Sequence, residues 1–129
     1  MTHPIYYSYF SQPLKVERFP DGRLAGSVLD ELTGEFVQAS QYNVRNAVAN
    51  MSHPEIWEAD LDEFIFHTES LRRQFASGEG PVFPLYQVVK GIYDVARAED
   101  RAVNDEELQL ITAIYQRTFA LWETGQARS

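Results

Sequence analysis

The hydrophobic pattern of the chain changes its period near Ser40. Before this point, apolar residues lie in short segments separated by turn residues, a pattern typical of half-buried β-strands. Pro20-Asp21-Gly22 and Thr33-Gly34 predict turns, because proline presets one dihedral angle and glycine permits a positive φ. We therefore predict an antiparallel meander of three or four strands, drawn from residues 5–10, 14–19, 23–30 and 35–38. Gly26, inside the third segment, predicts a bulge or a close approach of the backbone.

After Ser40 the apolar residues recur at helical spacing, and Ser40 itself predicts the N-cap of a short helix. Ser52 and Glu55 predict a capping box around Pro54, at the start of a second helix over residues 54–76. The apolar stripe of this helix consists of Trp57, Leu61, Phe64, Thr68, Leu71 and Phe75. A third helix is predicted to begin at Pro84, and a fourth follows Asn104.

The boundary between the third and fourth helices has a distinctive sequence, VARAEDRAVNDEELQLITAIYQ, at residues 95–116. Asn104 and Glu107 have the spacing of a capping box. Val95, Ala96, Asp100, Val103, Glu107, Leu108 and Ile111 resemble the helix-loop-helix of the TerB-like (tellurite-resistance) family, which commonly carries A-D-G-x-V-S-x-x-E-x-x-x-I at this turn. Arg101 replaces the glycine of that pattern, and Asn104 replaces its serine. The resemblance implies a cytoplasmic stress-response or phage-defence module associated with a metal, although TerB-like domains are all-helical.

These patterns predict one α+β domain over residues 1–129, with a small N-terminal antiparallel sheet packed on about four C-terminal helices. Residues 1–40 form the β-rich part, 41–124 the helical part and 125–129 a disordered tail. The chain contains no cysteine, which excludes disulfides, thiolate metal sites and a cysteine nucleophile. Its first ten residues lack the basic and apolar regions of a signal peptide, and no segment approaches the ~20 apolar residues of a membrane span. We expect a cytoplasmic protein that does not bind membranes.

The acidic charge of the chain indicates which class of partner it could bind. The net charge is −8, and residues 54–79 carry seven acidic groups against Arg72 and Arg73, a net −5. Nucleic-acid binding requires a basic face, so we expect no nucleic-acid partner. An acidic surface instead favours a basic protein partner, whose association it would steer electrostatically. The alternative is that acidic helices only keep the protein soluble.

Phe66 is the candidate centre of a partner-binding surface. On the predicted second helix it lies opposite Trp57 and Phe75, among Asp62, Glu69 and Arg73. An aromatic residue on a charged face is either kept for a partner or covered by another part of the fold, here the N-terminal sheet.

The last helix has an apolar arc wider than that of an ordinary surface helix. Leu110, Ile114 and Leu121 lie beside the main stripe and are the candidate interface of a homodimer. A central position of this helix inside a monomer would also satisfy them.

No sequence motif of an enzyme is evident, so we expect a non-enzymatic protein without a cofactor. The one candidate set of metal ligands is Asp60, Glu63 and His67, which would share one face of the second helix. The alternative is that these residues form its solvated flank. The sequence thus predicts a cytoplasmic protein-binding module with an acidic surface, of the immunity, antitoxin or adaptor type. The alternative function is the metal-associated TerB-like module.

Overall fold

The computed structural model describes residues 4–50 and 52–128, and within these residues the chain forms five strands and four helices. The strands are β1 (Ile5–Tyr9), β2 (Gln12–Arg18), β3 (Leu24–Leu29), β4 (Phe36–Gln38) and β5 (Ile56–Ala59). The helices are α1 (Gln41–Ala49), α2 (Leu61–Phe75), α3 (Val82–Ala98) and α4 (Asp105–Glu123). The fold is α+β, as predicted.

The sheet is antiparallel, with its strands in the order β4-β3-β2-β1-β5. The first four strands form the predicted meander, and both turn predictions are confirmed. Gly22 adopts a φ of 88° and donates its N–H to the carbonyl of Phe19 at 2.9 Å, while Gly34 adopts a φ of 79°. The sheet has one strand more than the predicted meander, because β5 adds a fifth strand at the edge beside β1.

The prediction of one helix over residues 54–76 fails in its first third. Residues 56–59 are extended and pair with β1, from Tyr9↔Ile56 to Tyr6↔Ala59. The helix begins only at Leu61, and Asp60 is its N-cap, with Oδ1 accepting the Glu63 N–H at 2.8 Å. The edge of β1 offers hydrogen-bond partners to the backbone groups of this segment that face it, and this pairing outweighs the helical spacing of its apolar residues.

The two faces of the sheet are covered by different helices. Tyr7, Leu14, Val16 and Ile56 form a buried cluster with Val44 of α1. Ser40 caps α1 as predicted, and its Oγ accepts the Asn43 N–H at 3.1 Å. Gly26 is the predicted close approach, because a Cβ at that position would lie 2.5 Å from Cγ2 of Val44.

On the opposite face, Phe64 of α2 is buried against the ring of Tyr6 at 4.5 Å and that of Phe36 at 5.7 Å. Helix α4 packs on α2 and α3 and carries Ile111 and Tyr115 into their shared core. Its capping box between Asn104 and Glu107 is confirmed. Helix α3 begins at Val82, two residues before the predicted start at Pro84.

The α3–α4 turn ends α3 with a residue in the left-handed region. Asp100 has a φ of 57°, and the N–H of Arg101 bonds to the carbonyl of Ala96 at 3.0 Å, as in a Schellman motif. Arg101, which replaces the family's glycine, therefore does not itself need a positive φ.

The disordered tail predicted from residue 125 is wrong as far as Arg128. Ala127 is buried beside α3, and its carbonyl accepts the Val82 N–H at 3.4 Å. Arg128 lies over the ring of Trp122, with 4.9 Å between its Cζ and the ring centroid. Apolar burial and a cation–π contact hold this segment. Ser129 lies outside the described residues.

Candidate functional site

The surface predicted around Phe66 is not available to a partner, because α4 lies across it. Phe66 is half-buried and packs edge-to-face on Tyr115, with 5.1 Å between the ring centroids. Arg73 donates its Nε–H to the Tyr115 hydroxyl at 3.0 Å, and its guanidinium lies over Tyr93. Of the four residues predicted to bind a partner, Asp62 alone is fully exposed on the surface. The covering element is α4 and not the sheet.

Glu69 was predicted to bind a partner at the surface, but its side chain is 0% exposed. It pairs with Arg72, which is 2% exposed, at 2.7 Å. Its other oxygen accepts the Tyr86 hydroxyl proton at 2.6 Å, and Trp122 Nε1–H donates to the Tyr86 oxygen at 2.8 Å. Burial raises the pKa of the Glu69 carboxyl, and the charge of Arg72 opposes this. Glu69 therefore belongs to an interior network that joins α2, α3 and α4.

The three candidate metal ligands do not form a site. Asp60 precedes the helix and uses its carboxylate as the N-cap, Glu63 is exposed, and His67 is half-buried. In the part of the chain that the structure describes, no group of three or more acidic or histidine side chains is arranged to hold a metal. The predicted site was wrong because the spacing of Asp60, Glu63 and His67 was taken on a helix that already included residue 60, whereas α2 begins at Leu61.

The candidate dimer residues are divided between the interior and the surface. Ile114 packs against the cluster of Ile111 and Tyr115, and Leu121 packs beside Val82 and Trp122. Leu110 is 51% exposed. Ile114 and Leu121 are therefore partly buried within the fold, whereas Leu110, like Leu108 at 42%, is exposed, so the fold uses only part of the apolar arc of α4.

A different exposed surface lies along β5 and the start of α2. Trp57 is 47% exposed and Leu61 is 45% exposed, and five acidic residues lie in the same segment, residues 55–63. We call this surface the acidic edge; it consists of Glu55, Trp57, Glu58, Asp60, Leu61, Asp62 and Glu63.

In the part of the chain that the structure describes, the carboxylates of the acidic edge have no ion-pair partners. Among residues 4–50 and 52–128, none of the five forms an ion pair, whereas Glu17, Asp21, Glu35, Asp94, Glu99 and Glu107 each lie within 4.0 Å of a lysine or arginine nitrogen. The chain has no lysine or arginine between Pro54 and Leu71. Among the described residues, no ion pair therefore reduces the negative charge of this surface.

The ladder between β1 and β5 determines which backbone groups face outward. Phe10 N–H donates to the Glu55 carbonyl at 2.9 Å, and in an antiparallel ladder hydrogen-bonded pairs alternate with non-bonded ones. Trp57 and Ala59 therefore bond to β1, whereas the N–H and C=O of Glu58 point to the free edge of the sheet. The N–H of Ile56, which also points away from β1, bonds to the His53 carbonyl at 3.1 Å.

The β1–β2 turn adjoins the acidic edge and has an unusual backbone. Phe10 and Ser11 adopt φ values of 48° and 66° without being glycines, a left-handed conformation that costs energy for residues with a side chain. Phe10 packs 5.0 Å from His53 and remains partly exposed. The turn thus adds a third apolar side chain to this end of the sheet.

A depression of about 240 Å³ lies beside Trp57, on the side of the sheet that faces α2. Its walls are Ser8, Ser11, Trp57, Ala59, Glu63, Phe64 and His67. Burial lowers the pKa of His67, opposed by a hydrogen bond with the backbone of Ser11 and by the charge of Glu31. The depression therefore combines an aromatic wall, the Glu63 carboxylate and an imidazole whose neutral form burial favours.

Sequence reasoning missed Trp57 and Glu58 because it placed them inside a helix. Two signals pointed to a strand: the β-favouring pair Ile56-Trp57, and the flanking breakers Pro54 and Asp60. The absence of basic residues between Pro54 and Leu71 marked the same segment.

In comparisons with known proteins, the chain matches no family model, no curated protein and no solved structure. Within the described residues, no helix combines the length and the apolar character needed to cross a membrane.

Proposed function

We propose that the chain is a non-enzymatic, cytoplasmic protein-binding module that binds a basic protein through the acidic edge. The observation that carries the proposal is the exposed Trp57 among five carboxylates that have no ion-pair partner in the described part of the chain. Exposed tryptophans are frequent energetic centres of protein interfaces. Unpaired charges around such a centre steer a partner of opposite charge and select against others.

Small acidic domains that neutralise a basic protein, such as immunity proteins and antitoxins, have this physical character, as do some adaptors. The analogy concerns the type of surface and not a shared motif. We propose that the partner has a positive patch with lysine or arginine side chains, which would contact Glu58, Asp62 and Glu63.

The test is affinity capture from a lysate of the source organism, with the captured proteins identified by mass spectrometry. We expect a basic protein whose retention falls as salt is raised. The Trp57→Ala variant should bind it on the order of 30-fold more weakly, as for a central aromatic anchor.

A matched pair of charge variants separates the site from the overall charge. Glu58→Lys with Asp62→Lys and Glu79→Lys with Glu106→Lys change the net charge equally, and all four residues are exposed. The first pair should abolish capture and the second should retain it. Equal behaviour of the two pairs, or capture of acidic proteins only, would reject the proposal.

A metal-associated TerB-like module is the second candidate. It is favoured by the helix hairpin of α3 and α4, where residues 95–116 resemble that family and where Asn104 caps α4. Isothermal titration of the metal-free protein with zinc, manganese and calcium tests it, and micromolar binding would favour it over the first candidate.

A further inference from the structure

The free edge of β5 has the properties of a docking site for an extended chain. Strand β5 is the last strand of the sheet, and its outer side presents the N–H and C=O of Glu58. Unpaired edge strands bind another chain when nothing on the edge prevents it. Here the edge carries negative charge, which repels an acidic strand but attracts a basic one.

The side chains of β5 alternate between two acidic surroundings. Trp57 and Ala59 lie on the α2 side, beside the depression that contains Glu63, whereas Glu58 lies on the α1 side with Tyr7. A strand added to β5 would direct successive side chains to these two sides in turn. Basic side chains on either face of such a strand would therefore meet a carboxylate.

We infer that the partner binds through an extended segment rich in lysine or arginine, which pairs with β5 as a sixth strand. This inference rests on the proposed function and specifies its mode of recognition. Glu58 supplies the backbone hydrogen bonds, Trp57 supplies apolar contact, and the carboxylates of Glu58 and Glu63 bind the basic side chains. The short length of β5, four residues, limits the pairing to a few hydrogen bonds.

The experiment uses two synthetic peptides of eight residues in which arginine and valine alternate. One has an ordinary backbone, and the other has N-methyl groups on every residue, which remove the N–H donors from both edges of the peptide without changing its charge. Binding to the full chain is measured by fluorescence polarisation at low salt, and the Glu58 amide is followed by NMR. We expect the ordinary peptide to bind, to shift the Glu58 amide, and to lose roughly tenfold or more in affinity on N-methylation.

Glu58→Pro and Glu58→Gln form the matched pair of protein variants. Both remove the same charge, but only proline removes the outward N–H, and neither changes a residue that bonds to β1. Glu58→Pro should bind the ordinary peptide roughly fivefold or more weakly than Glu58→Gln. Thermal unfolding establishes that both variants are folded, and the N-methylated peptide gives the same answer with the unchanged protein if Glu58→Pro does not fold.

Equal binding of the two peptides would overturn strand addition and leave a purely electrostatic contact, with the proposed function intact. Failure of both peptides to bind at low salt would also overturn it, because electrostatic attraction is strongest there. The capture experiment tests the proposed function separately, because capture of a basic partner does not require that the partner binds as an extended strand.

Discussion

Arg72 carries its guanidinium into the interior, where it contacts several separate parts of the fold. Its Nη1 pairs with Glu69, its Nε donates to the Gly34 carbonyl at 2.7 Å, and its Cζ lies 4.5 Å from the Trp122 ring centroid. A buried arginine is tolerated only when its donors and its charge are satisfied together. This one side chain therefore ties α2 to the β3–β4 turn and to α4.

Replacing Arg72 should destabilise the fold strongly. Arg72→Met leaves Glu69 as an uncompensated buried charge, which costs about 3–5 kcal/mol of unfolding free energy near neutral pH. Without the arginine, the pKa of Glu69 in the folded protein rises further above its value in the unfolded chain. Protonation of Glu69 therefore restores stability at low pH, and this stability is lost as pH rises. Urea denaturation at pH 5 and pH 7 should show the larger loss at pH 7.

The double variant Glu69→Gln with Arg72→Met is the control, because it contains no buried charge and should recover part of that loss. A loss below about 1 kcal/mol in Arg72→Met would show that the pair does not hold the interior together.

His67 predicts a pH dependence of the opposite sign. Burial lowers its pKa from the ordinary value of 6.5, so below pH 6.5 the unfolded chain binds a proton more readily than the folded one. Stability should therefore fall as pH drops below 6.5, relative to a His67→Gln variant that cannot titrate. Urea denaturation of both proteins between pH 5 and 8 measures the difference; a constant difference over this range would contradict the lowered pKa. Glu31 and Glu63 lie near the imidazole and act in both proteins.

At the scale of elements, the caps of α1 and α4 and the turns of the sheet were predictable, whereas the strand β5 and the cap of α2 were not. Ser40, Asn104 and Gly22 act through hydrogen bonds to residues within four positions, so their local sequence is sufficient. Strand β5 forms its bonds with β1, about fifty residues earlier in the chain. The helical spacing of its apolar residues is a local signal. Pairing with β1, which is distant in the sequence, stabilises the extended conformation instead.

The start of α2 offers a test of this boundary. Asp60→Ala removes the observed cap of α2 and should cost about 1 kcal/mol. Ser52→Ala removes the cap that the sequence alone predicts and should change stability by less than about 0.5 kcal/mol. Chemical denaturation of the two variants compares them directly. A larger loss for Ser52→Ala would place the start of the helix before β5.

At the scale of the whole molecule, α4 is the central helix of the α-helical half. It packs on both α2 and α3, and its apolar residues enter two of the hydrophobic clusters. This position accounts for an apolar arc too wide for one neighbour. Of the three candidate homodimer residues, Ile114 and Leu121 are partly buried within the fold, and Leu110 is exposed.

Two glutamate substitutions on α4 distinguish a central helix from a dimer interface. Ile114→Glu should destabilise the protein by about 2 kcal/mol or more, because it places a charge in a partly buried apolar cluster. Leu110→Glu should remain folded and keep the molar mass of the wild type in sedimentation equilibrium. A halved mass for Leu110→Glu would instead show that α4 forms a subunit interface.

The sequence by itself determined the α+β class, an N-terminal meander of three or four strands with its turns, and the caps of α1 and α4. These features follow from the hydrophobic period and from hydrogen bonds between residues close in sequence, so each can be predicted from a short segment alone. Only the tertiary structure decided that residues 56–59 become an edge strand, that α4 covers Phe66, and that Glu69 is interior. Each of these depends on a partner distant in the chain: β1 for the edge strand, Tyr115 for Phe66, and Tyr86 and Trp122 for the network around Glu69. Charge in the sequence therefore predicted an acidic surface, but folding decided which of the acidic residues remain outside.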